Sequence, residues 1–308
     1  MTGLEDRIRA ALVAFAVGDA TGVPWEGYRP AAIAPDAVAE VPRRAGWPPG
    51  ATSDDTALML LVADYLADHG ADVDERDFLT RLAGAVPGIR GIGPSTHAAV
   101  ERFGTTGGLR ARAGDTNGAA MRALPIGWGI PSTAAGLRRR VVTRLSRTTH
   151  GAAGAVGAAC VVTAMAATAV EAAAPDAVLE AASAEIRYLR GRFANSNTTW
   201  TPLSDAVAGD WRPGGDGVPL DGIQTAAAVI TVIRRTGQRR RGMADAVRDA
   251  VTLGGDTDTV AALACGILGG LGHLDMNVPW LPALALPDPA RLDRSAAALA
   301  ALRTSLSE

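Results

Sequence analysis

Apolar positions recur at helical spacing along nearly the whole chain. Leu4, Ile8, Leu12 and Phe15 fall on one face of an opening helix that should stop near Gly18. Residues 56–67 repeat the pattern, with Ser53, Asp54 or Asp55 in capping position and Gly70 placed to close the helix. The same period predicts helices over 76–86, 94–103, 117–123, 151–171, 174–189, 223–235, 243–253, 259–271 and 290–305. Pro and Gly gather at 41–50, 86–94, 124–131 and 208–222, which read as loops between helices. The last of these is the longest irregular stretch and has the make-up of a surface lid. No alternating β-branched runs rise above this background. The expected fold is therefore all-α, a multi-helix bundle forming a single domain over residues 1–308.

Composition narrows the picture. Hydrophobic residues make up 48% of the 308-residue chain but aromatics only 4%, so Ala, Val, Leu and Gly must build the core. Small side chains let helix backbones approach closely. The formal charge of −2 carries no general footprint for nucleic acid, and none is expected as a partner. The chain has no lysine. Its densest basic stretch, Arg234-Arg235 with Arg239-Arg240-Arg241, reads as a solvated helix end or loop rather than a phosphate site. Cys160 and Cys265 lie in Ala-rich apolar segments and behave as small buried hydrophobes. Residues 151–170 carry no charge, yet their Ala and Gly would partition poorly into lipid, so they predict a core helix. With no signal pattern at the N-terminus, the expected location is cytoplasmic and off the membrane.

Chemistry concentrates in two acidic clusters, Thr52-Ser53-Asp54-Asp55-Thr56 and Gly254-Gly255-Asp256-Thr257-Asp258-Thr259. Each runs into an apolar helical stretch. Carboxylates this crowded repel one another, while a helix N-terminus offers N–H groups and a favourable dipole. Oxygen-only ligand sets suit Mg²⁺, Mn²⁺ or Ca²⁺ rather than zinc. The clusters make most sense as two halves of one site, in which two ions about 3.5–4 Å apart would polarise a water and orient a substrate. Four histidines without zinc spacing argue against a His-based centre.

Together with Asn117-Gly118-Ala119-Ala120-Met121-Arg122 followed by Pro125, and Gly18-Asp19-Ala20-Thr21-Gly22 followed by Glu26, these motifs resemble the ADP-ribosylglycohydrolase family. The match runs from about residue 5 to 281, in the family's order. The resemblance implies an all-α hydrolase with a binuclear Mg²⁺ centre (Mn²⁺ being possible), held by Ser53, Asp54, Asp55, Asp256, Asp258 and Thr259. It implies catalytic duties for Glu26, Asp55 and Asp256. Gly91, Gly93, Ser95 and Thr96 resemble a phosphate-contacting loop, and Gly-rich turns before a helix suit that task. Asn117 and Gly118 would line the ribose side, and Thr149-His150 fits a family Thr-His pair, placing His150 at the substrate.

The implied reaction is hydrolysis of the glycosidic bond between ADP-ribose and a modified protein side chain, of arginine or serine type. Alternatives within the family are a free nucleotide or small ADP-ribosyl conjugate as substrate, or an inactive ADP-ribose-binding or structural role. The chain departs from the family pattern at Leu271-Gly272-His273 and at 195–222, where substrate selection could be set. Two other readings fit worse. A haloacid-dehalogenase-like phosphatase needs an α/β domain after Asp256-x-Asp258 and usually a lysine. A terpenoid synthase wants a further Asp where Leu58 stands, and an aromatic pocket.

Overall fold

The computed structural model describes residues 3–171, 174–239 and 242–307, and the elements below are those of the described residues. Fourteen α-helices account for most of them: α1 (Leu4–Gly22), α2 (Asp54–His69), α3 (Glu75–Ala85), α4 (Pro94–Thr106), α5 (Gly118–Met121), α6 (Leu124–Gly129), α7 (Ala135–Arg147), α8 (Ala153–Ala169), α9 (Pro175–Arg192), α10 (Thr201–Ala208), α11 (Gly222–Arg239), α12 (Met243–Val251), α13 (Thr257–Gly269) and α14 (Pro289–Ser305). Strand pairing is confined to isolated bridges. The all-α expectation holds.

The core is built as the composition demanded. Helices α8 and α13 are buried on nearly every face, lined by Ala, Val, Cys and Leu. Around α8 pack α6, α7, α9 and α11, while α13 lies along α1 for most of its length. That pairing is close because glycine allows it: a Cβ at Gly18 would stand 2.3 Å from the Ala261 carbonyl oxygen, and one at Gly22 2.4 Å from the Asp258 Cα. The approach sets the last turn of α1 against the first turn of α13, which carries Asp258 and Thr259 of the second acidic cluster. No helix among the described residues is long and apolar enough to cross a membrane.

Several expectations needed correction. Helix α1 does not stop at Gly18; it continues to Gly22, where Pro24 in the following 3₁₀ turn breaks it. The predicted loop at 124–131 contains the buried helix α6, in which Pro125 occupies a first-turn position that needs no N–H. Helix α7 lies outside the predicted helices, although Leu137, Val141, Val142 and Leu145 follow the helical period among its arginines. The stretch 208–222 is not a free lid. Trp211 is buried with its indole N–H on Gln224, and Val218 is stitched to the second cluster on both sides, its N–H donating to the Gly254 carbonyl and its carbonyl accepting from Asp256 N–H. It forms a fixed wall. Of the basic stretch, Arg234 at the end of α11 donates to the Val207 carbonyl, while Arg240, Arg241 and the Arg239 side chain lie outside the described residues.

Candidate active site and metal centre

Three chain segments converge on one buried acidic floor: the end of α1, the start of α2 and the start of α13. Ser53 caps α2, its hydroxyl accepting from Asp55 N–H at 3.1 Å, so the first cluster is a helix start as expected. That start is fastened to α1 by Asp19. The Asp19 carboxylate accepts Ser53 N–H at 3.0 Å and Thr56 N–H at 3.1 Å, and also the Thr56 hydroxyl. The α13 side is fastened by Thr257, whose hydroxyl donates to the Gly22 carbonyl at 2.9 Å. Carboxylate oxygens of Asp19, Asp55 and Asp258 lie within 4.8 Å of one another, all three side chains buried.

The chain leading into α13 is held equally firmly. Gly255 accepts from Gly27 N–H and donates to the Tyr28 carbonyl, both at 2.8 Å, and Asp256 N–H reaches Val218. Asp256 is then aimed by Asn117, whose amide nitrogen donates to its carboxylate and to the Thr225 hydroxyl at 3.0 Å. The Asn117 motif thus meets the second cluster at Asp256.

Above this floor lies a cavity of about 310 Å³. Every residue that the sequence suggested lines it: Glu26, Ser53, Asp54 and Asp55 from the first half; Gly91, Gly93, Ser95 and Thr96 at the start of α4; Asn117, Gly118 and His150 opposite; and Asp256, Asp258 and Thr259. Gly91 has φ +89, and a Cβ there would stand 2.8 Å from an Asp54 carboxylate oxygen, so glycine lets this loop close over the cluster. Asp54 and Asp55 diverge, as neighbours on a helix must. Asp55 is buried into the floor, while half-buried Asp54 faces Gly91.

His150 joins a short polar chain. Arg122 Nη2 donates to the Thr149 hydroxyl at 2.6 Å, and that hydroxyl lies 2.7 Å from His150 Nδ1 but 3.5 Å from the Ser146 carbonyl. Its proton therefore goes to Nδ1, leaving Nε2–H to donate to Thr116 Oγ1 at 2.9 Å. Burial, with Arg122 adding to it, pushes the imidazole down to about 3, so it is neutral.

The sequence reading missed Asp19, Arg44, Trp47, Thr116 and Arg122. Asp19 was visible within the Gly18–Gly22 motif, but ending the first helix at Gly18 hid that it points at α2. Arg44 and Trp47 sit in a Pro/Gly-rich loop with no periodicity to place them at the cavity mouth.

The donor set fits a hard cation. Asp55 Oδ2 is buried with no hydrogen-bond partner. Burial raises Asp19 and, together with the neighbouring carboxylates, raises Asp55 and Asp258 well above the ordinary range; it lifts Asp54 to about 7 and Asp256 to about 6. Carboxylates packed this way await positive charge, and no Arg or Lys side chain is hydrogen-bonded to any of the five among the described residues.

Fold and site together define an all-α protein with a buried carboxylate cluster, suited to a cation, beneath a cavity. The chain belongs to the ADP-ribosylglycohydrolase family, a family of metal-dependent hydrolases, whose sequence profile matches residues 1–306. A solved structure described as an ADP-ribosylglycohydrolase-related protein complex is similar to it at 28% identity and a TM-score of 0.77, over 97% of this chain and 98% of that one. No curated protein matches the chain.

Proposed function

We propose that this protein hydrolyses the glycosidic bond joining ADP-ribose to a modified protein side chain, through arginine- or serine-type linkage, in the cytoplasm. The observation that carries the reading is the joining of both acidic clusters and the Gly91–Thr96 and Asn117 motifs around one cavity. Ser53, Asp54, Asp55, Asp256, Asp258 and Thr259 would hold two Mg²⁺ ions, with Mn²⁺ as the natural substitute. Bound there, the ions supply positive charge against the ribose hydroxyls and lower the pKa of water.

The chain's own side chains divide the remaining work. The glycines at 91 and 93 and the first turn of α4 offer close backbone approach and N–H groups to a diphosphate. Thr116, receiving from neutral His150, has its own hydroxyl proton free for a ribose or phosphate oxygen. Asn117 holds Asp256 where it can take a proton from the attacking water, with Asp55 beside it. Glu26 is 35% exposed at the mouth, on the side where a protein-linked leaving group must remain, because a cavity of about 310 Å³ admits no folded chain. A small ADP-ribosyl conjugate would use the same groups. The completeness of both clusters speaks against a purely structural role.

The test is incubation of the purified protein and its Asp256→Asn variant with ADP-ribosyl-arginine and ADP-ribosyl-serine peptides and with small conjugates, with Mg²⁺ or with chelator. We expect ADP-ribose release that needs Mg²⁺ and falls at least about a hundredfold in the variant. Release that survives both chelator and substitution would overturn the metal mechanism. Tight ADP-ribose binding without release from any conjugate would convert the reading to a binding module.

A further inference from the structure

We infer that Arg44 determines which linkage the site accepts: it fills from within the chain the place a substrate guanidinium would take, restricting the leaving group to an uncharged alcohol such as a serine hydroxyl. The inference rests on the hydrolase reading above and narrows it.

Arg44 Nη1 donates to the Glu26 carboxylate and to the Val23 carbonyl at 3.1 Å, and its guanidinium carbon lies 4.9 Å over the Trp47 ring. A carboxylate, a carbonyl and an aromatic face are what a guanidinium binds. The set is complete, and its occupant is already present. Among the described residues, Arg44 is also the only Lys or Arg side chain lining the cavity, and Glu26 the only lining carboxylate outside the two acidic clusters. A substrate guanidinium arriving at the mouth therefore meets a like charge, and outside the two acidic clusters, which a cation would fill, it finds no unpaired acid. Ile92 and the exposed Leu220 add apolar surface to the lining.

A neutral leaving group meets neither obstacle. The C1″–O bond breaks with its electron pair staying on the serine oxygen, which takes a proton. The water oxygen forms the new bond to C1″ and supplies that proton, so the products are serine and ADP-ribose. Like charge at close range suppresses a wrong partner strongly, and a discrimination of about tenfold or more is expected.

The experiment measures kcat/KM of the Mg²⁺-loaded protein on ADP-ribosyl-serine and ADP-ribosyl-arginine peptides for wild type, Arg44→Ala and Arg44→Lys, with calorimetric titration of methylguanidinium into each. Wild type should favour the serine conjugate by about tenfold or more. Arg44→Ala should narrow or reverse the ratio and bind millimolar methylguanidinium that the wild type does not, while Arg44→Lys, which keeps the charge, should retain the serine preference. Equal or faster hydrolysis of the arginine conjugate by wild type overturns the inference and leaves the hydrolase reading standing. A ratio unmoved in Arg44→Ala, or methylguanidinium ignored by it, overturns the inference as well. Release from neither conjugate overturns the hydrolase reading, and this inference with it.

Discussion

Asp54→Asn should stabilise the metal-free protein while weakening the metal-loaded one. The Asp54 carboxyl is pushed up to about 7, first by burial and then by the charges of Asp19, Glu26 and Asp256, from an ordinary value of 3.8. A carboxyl raised on folding leaves stability intact below its unfolded value and removes it as pH rises through its folded value. The penalty therefore grows between about pH 4 and pH 7 and is complete at pH 8. Three pH units correspond to about 4 kcal/mol as an upper bound. Asp54 is only half-buried and faces the cavity, so water screens part of this, and about 2 kcal/mol is expected at pH 8. For a chain of 308 residues that raises Tm by about 3 °C. The assay is calorimetric unfolding of both proteins with chelator at pH 5 and pH 8, then with saturating Mg²⁺ at pH 8. The gain of Asp54→Asn should be present at pH 8, shrink at pH 5, and invert with Mg²⁺, where the variant would lack one of the proposed ligands. A variant less stable than wild type in chelator at pH 8 would refute the claim that the cluster is self-repelling until a cation arrives.

Other outcomes follow from the same geometry. Asp19→Ala strips acceptors from Ser53 N–H, Thr56 N–H and the Thr56 hydroxyl, all buried, and should cost about 3 kcal/mol in denaturant unfolding, with Mg²⁺ affinity falling alongside. Gly91→Ala places a methyl 2.8 Å from the Asp54 oxygen at φ +89; we expect about 1–2 kcal/mol of lost stability and weaker Mg²⁺ binding by titration calorimetry. His150, held neutral by burial and Arg122, should show an Nε2–H tautomer by ¹⁵N NMR throughout pH 5–8. Its depressed pKa contributes stability that is present above about pH 6.5 and lost as pH falls toward 3, so His150→Gln should flatten that acid-side loss.

The helical period carried most of the fold, because amphipathic stripes such as Leu4 to Phe15 report burial directly. It failed where burial was total or chemistry overrode pattern. Helix α6 is buried on every side and carries Pro125 in its first turn, so it offered a Pro/Gly signature and no stripe. Helix α7 carries a buried arginine, Arg138, that bonds the Pro131 carbonyl and breaks the apolar face. The site was legible because its motifs are local: a capped Asp pair, a Gly-Gly-Asp-x-Asp turn and a Gly-rich helix start. Asp19 and Arg44 were not, since their roles come from partners distant in sequence, Ser53 and Thr56 for one and the Glu26–Trp47 pocket mouth for the other. The loop at 208–222 has the composition of a surface lid, but backbone pairing of Val218 with Gly254 and Asp256 holds it in place.

The central claim is that water cleaves the ribose C1″ bond at this site. It is tested most directly by running the Mg²⁺-dependent reaction on an ADP-ribosylated peptide in H₂¹⁸O and locating the label by mass spectrometry. One ¹⁸O in the ADP-ribose product, with unlabelled and intact peptide side chain, is the predicted result. Label in a phosphate, with AMP released, would show cleavage of the diphosphate instead and contradict the account.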